Sequence, residues 1–151
     1  MRPARAAALP ASVRRALEQL LGTQVGQVKV IEHSWFVRLH GRALATTRRR
    51  RIYLRGSATE FFANPWLMLH EYCHVIHQWE PRSLTVRRYL LECLRRGYWN
   101  NRFEVEARAF ADLNVASLRD LLKSTAEPAA LPGPGAALQY ASRATRPDSQ
   151  G

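Results

Sequence analysis

Cysteine is scarce: Cys73 and Cys93 are the two in 151 residues. That excludes the multi-disulfide framework of small secreted domains and makes a reducing compartment the expected setting, with both thiols read as small core residues. No apolar run is long enough to cross a bilayer, so no helical membrane anchor is expected. The opening MRPARAAALPAS lacks the apolar stretch of a secretory signal. The expectation is a cytoplasmic protein, with any export by a non-classical injection route. Internal repeats are absent. Acidic residues are few, 12 against 23 basic ones, for a net charge of +11. Lysine is nearly missing too, since all of the basic residues except Lys29 and Lys123 are arginine. The densest run, Arg48 to Arg51, opens the reading of a nucleic-acid partner through counterion release. The other basic residues are spread along the chain and no nucleic-acid motif accompanies them, so a solvated basic surface is the preferred reading.

What is present is one domain's worth of helix and strand patterning. PASVRRALEQLLGTQ predicts a first helix, capped by Ser12, with Val13, Leu17, Leu20 and Leu21 on one face and Gly22 past its end. VGQVKVIEHSWFVRLHG is rich in β-branched and aromatic residues and predicts one or two strands with a turn near His33 and Ser34. RALATTRRRRIYLRG predicts a strand pair, with Ile52, Tyr53 and Leu54 the firmest part, and SATEFFANP reads as a loop. Pro65 suits the first turn of a helix running to about Trp79. A second helix follows around Leu84, Tyr89, Leu90, Leu91 and Leu94, all expected in the core, and Gly97 closes it. A third starts at Asn100 or Asn101. The order is α+β: residues 1–8 as a flexible N-terminus, 9–124 as the domain, and 125–151 as a Pro/Gly/Ala-rich disordered tail.

The chemistry is concentrated in PWLMLHEYCHVIHQW. His70, Glu71 and His74 sit in an otherwise apolar run, where an unpaired charge or imidazole is costly. Together they spell H-E-x-x-H, a metalloprotease signature. Residues i and i+4 share a helix face, so both imidazoles can reach one ion. Glu71, turned about 100° from His70, can instead act as general base. Met68, Leu69, Tyr72, Val75, Ile76 and Trp79 fall on the other side, leaving one face to pack and one to hold the imidazoles. The competing reading is two surface histidines on an amphipathic helix with Glu71 merely solvated.

A catalytic metal site needs a third protein ligand. No histidine follows His77, and His77 itself lies about 10 Å along the helix axis from His70, so a carboxylate is required. Glu80, Glu92, Glu104, Glu106 and Asp112 are the candidates. From Glu104, positions i+3 and i+7 are Ala107 and Ala111, a small-residue strip that lets another helix approach closely. Glu106 neighbours the bulkier Phe110 and Leu113. Glu104 is therefore the preferred ligand and Glu106 the alternative. Candidates for stabilising an oxyanion are Tyr98, Arg102 and His77.

HEYCH followed by FEVEARAFA resembles the gluzincin arrangement, in which an E-x-x-A helix supplies the third ligand; the match places Glu104 there. Arg108 departs from the aspartate often found after that alanine. A closer resemblance spans Leu9 to Trp79. LPASVRRALEQLLGTQVGQVKV, GRALATTRRRRIYL and LMLHEYCHVIHQW are similar to the bacterial HExxH core domain found with extracellular contractile injection systems. His77 replaces a glutamine usual in that family, while Gln78 keeps the next one. The resemblance implies a zincin-like fold: an N-terminal helix and a small, twisted, mostly antiparallel sheet, then the HExxH helix and two more. It also implies Zn²⁺ on His70, His74 and Glu104, with Glu71 catalytic, a peptide or protein substrate, and association with an injection system. The Ile52–Leu54 strand is expected as the sheet edge beside the cleft. The rival expectation is a non-catalytic zincin-fold adaptor or injection-system-associated module, and a third is a basic nucleic-acid-binding protein centred on Arg48–Arg51.

Overall fold

The computed structural model describes residues 4–40 and 43–126. The tail expected from 125 onward lies outside the described residues from 127, as do residues 1–3 of the expected N-terminal segment. The architecture is α+β. Four strands, β1 (Arg5–Ala7), β2 (Lys29–Glu32), β3 (Ala45–Arg48) and β4 (Arg51–Leu54), form one sheet in the order β1-β2-β4-β3. The sheet is mixed: β1 and β2 are antiparallel, β2 and β4 parallel, β3 and β4 antiparallel. Arg5–Ala7, expected to be flexible, is an edge strand paired with Val30 to Glu32.

Helix α1 (Ala11–Leu21) buries Val13, Ala16 and Leu17 and ends at Gly22 in the left-handed region (φ 66°). The residue before it is Pro10, and Ser12 does not cap it: with the helix starting at Ala11, Ser12 already lies inside the first turn. Of the one or two strands expected here the structure has one, β2, after which the chain turns at His33 (φ 54°) into a 3-10 segment, Trp35–His40. The apolar residues are consecutive rather than alternating in burial: Val37 is buried, Phe36 packs against Tyr53 at 5.3 Å, and Trp35 is exposed. The predicted strand pair is the β3–β4 hairpin. Its firmest segment, however, is an interior strand between β2 and β3, so β3 forms the sheet edge. Ile52 and Leu54 are buried on both counts of pairing, and a strand that apolar belongs inside a sheet.

The stretch expected to be a loop holds α2 (Ala58–Phe62), started by a reciprocal capping box in which Ser57 Oγ accepts from Glu60 N–H and Glu60 accepts from Ser57 N–H. Asn64 then caps α3 (Pro65–Cys73), accepting from Leu67 N–H at 3.0 Å. From His74 to Trp79 the helix continues with π geometry, closed by Glu80 N–H donating to Val75 O. Helix α4 (Val86–Arg96) is capped by Thr85 and ends at Gly97. Leu84 is buried, but no residue of α4 is, and Leu90, Leu91 and Leu94 are 55%, 42% and 85% exposed. The leucine spacing that suggested a core helix belongs to one that lies across a cleft mouth. Helix α5 (Arg102–Ala126) is capped by Asn101, whose side chain accepts from Phe103 N–H.

Helices α1, α3 and α5 build the core with β2 and β4, through Leu17, Val30, Ile52, Met68, Leu69, Tyr72 and Leu118. Ala107 and Ala111 are fully buried, which lets α5 lie close to α3 and brings the start of α5 alongside His70 and His74. Ala107→Leu should overpack that contact, lowering stability by about 1–3 kcal/mol in denaturant unfolding. The same contact positions Glu104 beside His70 and His74, so any ion held there should bind more weakly in the variant.

Candidate metal centre

His70 and His74 lie one turn apart, and their Nε2 atoms face each other at 3.2 Å. Glu104, from the first turn of α5, meets both: Oε2 is 3.3 Å from His70 Nε2 and Oε1 is 3.6 Å from His74 Nε2. All three residues are buried, at 7%, 6% and 4% exposure, and each offers a ligand atom within 4.8 Å of the others. A small tetrahedral ion bound at roughly 2.0–2.1 Å would separate its ligand atoms by roughly 3.3 Å. The spacings fit. The histidines are therefore not surface residues, and this triad could hold a metal ion.

The supports of each donor differ. His74 Nδ1 is 2.7 Å from Gln78 Oε1, and Gln78, fully buried, donates its amide to Phe103 O (2.9 Å) and Glu106 Oε2 (3.1 Å). With its NH₂ committed to two acceptors, Gln78 presents only its carbonyl to His74. His74 must therefore carry its proton on Nδ1 and leave the Nε2 lone pair toward Glu104 and His70. Among the described residues His70 Nδ1 has no hydrogen-bond partner; the ring is held by stacking on Trp66 (5.3 Å, 18°), whose indole N–H donates to Asp112 at 2.7 Å. Tyr89 and Tyr98 hydroxyls donate to the two Glu104 oxygens at 2.8 and 3.2 Å. Burial alone would raise the Glu104 pKa, but the His70 contact, His74 and the Tyr89 hydrogen bond outweigh it and hold the carboxyl down at about 2. Burial, reinforced by Glu104, pushes both tyrosine hydroxyls up, so they remain protonated donors.

Glu71 stands beside this triangle and is 3% exposed. Thr47, on edge strand β3, donates its hydroxyl to Glu71 Oε2 at 2.6 Å. Thr47 pairs with Ile52 across the hairpin, so both side chains share the sheet's inner face. Burial pushes the Glu71 carboxyl above its ordinary range, against the opposing pull of His74 and Thr47. Cys73 is a core thiol, pushed up to about 12 by burial, and stays protonated.

His70, Glu71, His74 and Glu104 line a cleft of about 400 Å³, walled by β3 on one side and by Val86, Tyr89, Leu90 and Cys93 of α4 on the other. Trp79, expected on the packing side of its helix, also lines it. Among the predicted residues, Glu106 stands behind Gln78 and does not join the ligand triangle. His77 is exposed against Phe110, and the Arg102 guanidinium lies over the Phe103 ring; neither lines the cleft, whereas Tyr98 does. Sequence pattern alone does not single out Gln78, Thr47, Trp66 or Tyr89 as site residues. Only Gln78 left a trace, standing four residues after His74 on the same helix face.

Gln78→Ala should free the His74 ring and weaken metal binding by about 10–100-fold in a chelator competition. Glu106→Ala should change it far less, because Phe103 O still anchors the Gln78 amide. Glu104→Ala, which removes a ligand, should abolish stoichiometric binding.

Residues 8–82 match the family model described as the eCIS core domain. No curated protein and no solved structure matches the chain. The matched segment carries His70, Glu71, His74 and Gln78 and stops short of α4 and of Glu104 on α5. Residues 8–82 are thus similar to the eCIS core domain, which supports an association of this protein with extracellular contractile injection systems.

Proposed function

We propose that the protein is a zincin-like metallopeptidase that hydrolyses peptide bonds, with zinc held by His70, His74 and Glu104. The observation that carries this reading is the meeting of two imidazoles and one carboxylate beside a second, separately held carboxylate, Glu71, in one cleft. Two neutral nitrogens and one charged oxygen suit zinc, and three protein ligands leave room for substrate or water. Zinc, when bound, supplies Lewis acidity, acidifying water and polarising a carbonyl. Glu71 does the proton work. Thr47 occupies its Oε2, which leaves the other oxygen to take a proton from the attacking water and pass it to the departing amine. A carboxyl raised by burial is suited to holding that proton between the two steps.

The substrate follows from the wall of the cleft. Strand β3 pairs with β4 on one side, and among the described residues no strand covers its other side. An extended peptide can add there through main-chain hydrogen bonds, its carbonyls running past Thr47 and Glu71. The family match favours one other reading, a non-catalytic injection-system module in which the same metal only stabilises the fold.

Purified protein should carry about one zinc per chain and cleave unfolded casein, with cleavage lost on chelation. Glu71→Gln should retain the zinc and lose activity by about 10²–10⁴-fold. Zinc bound at full stoichiometry without chelator-sensitive cleavage by the wild type would overturn the peptidase reading in favour of the structural module.

A further inference from the structure

The cleft does not end at the metal centre. Past Trp79, Leu84 and Val86 it continues into a second hollow of about 650 Å³, and Arg48 lines both spaces. The wall of this second hollow also includes Arg49, Arg50 and Arg82, and its sole carboxylate is Glu80. Arg50 already engages Glu80, with Nε 3.0 Å from Oε1. Among the described residues, Arg48, Arg49 and Arg82 have no carboxylate partner.

The backbone adds a second, independent sign. Arg49 has φ 56° and Arg82 has φ 60°; with His33 they are the non-glycine residues of positive φ among those described. Arg49 sits in the two-residue connection between β3 and β4, where glycine, asparagine or aspartate is the favoured choice. At Arg82, too, glycine would be the less strained residue. Both unfavourable positions hold arginine, and both arginines line the same hollow. Backbone strain kept at one place in this way marks a position held for its side chain.

We propose that this hollow is an acid-binding subsite, which takes glutamate or aspartate side chains of an extended polypeptide whose neighbouring residues lie over His70, His74 and Glu104. The proposal takes from the peptidase reading that the cleft receives a polypeptide, but it does not require that the polypeptide be cut. Guanidinium groups pair carboxylates with two parallel hydrogen bonds. A concave wall with a net excess of positive charge, with Trp79, Leu84 and Val86 lowering the local dielectric, strengthens those bonds and draws the acidic segment in. Nucleic acid suits the place less well. The arginines face a recess joined to the metal cleft and share it with a glutamate, whereas a phosphate backbone is met by a broad basic face.

The test is fluorescence anisotropy on the full chain carrying Glu71→Gln, loaded with zinc, so that no probe is consumed. The probes are a fluorescein-labelled peptide of alternating Glu and Ala and its twin with Gln for Glu. The Glu peptide should bind about tenfold or more tightly than its twin. Arg48→Ala with Arg82→Ala should erase that preference, while Arg119→Ala, on the exposed side of α5, should leave it. Arg49→Gly should weaken the Glu peptide severalfold with a melting temperature unchanged or higher, which separates lost binding from lost folding. Equal affinity for the two peptides would overturn the proposal. So would a preference that survives the Arg48/Arg82 substitutions, or displacement by a short DNA duplex at lower concentration than the Glu peptide and with the same arginine dependence. Intact preference for the Glu peptide, alongside wild-type protein that never cleaves casein, would uphold this subsite while removing the peptidase reading.

Discussion

Two imidazole nitrogens 3.2 Å apart, with a buried carboxylate against both, are the constraint around which the rest of the molecule is arranged. Left to themselves these groups are unfavourable neighbours: each loses hydration, and the two lone pairs meet across a gap that only a proton or a cation can bridge. Their convergence is imposed by packing. Ala107 and Ala111 let α5 approach α3 closely enough for Glu104 to reach the histidines, and Asn101 fixes where α5 begins. Gln78 then holds the outer nitrogen of His74, and Tyr89 and Tyr98 hold the Glu104 oxygens, so that of the outward-facing atoms of the group His70 Nδ1 alone lacks a hydrogen-bond partner among the described residues.

That convergence also ties in helix α4, which shares few other contacts with the rest of the chain. Helix α4 buries none of its own residues, yet it is held by its polar inner side: Tyr89 bonds Glu104, and Asn101 donates to Tyr89 O and Cys93 Sγ. One buried asparagine thus starts α5 and ties down the helix that closes the cleft. The π geometry from His74 to Trp79 belongs to the same economy of position. It occurs where the helix must present Gln78 to Phe103 and Glu106 while keeping His74 aimed at Glu104, and such local departures from α geometry gather at functional sites.

Much of this was legible in the sequence because the signals were local. H-E-x-x-H on an apolar helix places two imidazoles on one face whatever surrounds them, and Pro65 marks where that helix starts. The alanine spacing after Glu104 pointed to the glutamate that lies beside His70 and His74, because close helix packing leaves a volume requirement that composition records. The β3–β4 hairpin and α1 followed from ordinary periodicity. What stayed hidden depended on partners far away in the chain. Thr47 reads as a strand residue until β3 proves to be the edge. Tyr89 and the α4 leucines share the apolar pattern of a core helix, and pattern alone does not say whether a helix lies on a core or over a cleft. The stretch read as a loop holds the short helix α2, started by the Ser57–Glu60 capping box, a local signal that the loop reading of SATEFFANP passed over.

X-ray absorption at the zinc edge of the metal-loaded protein tests the central claim most directly, because it reports the ligand atoms themselves. The account predicts a low coordination number, with imidazole scattering from two histidines and only nitrogen or oxygen ligands at roughly 2.0–2.1 Å. A sulfur shell at roughly 2.3 Å, drawn from Cys73 or Cys93, or a spectrum lacking imidazole scattering would contradict it.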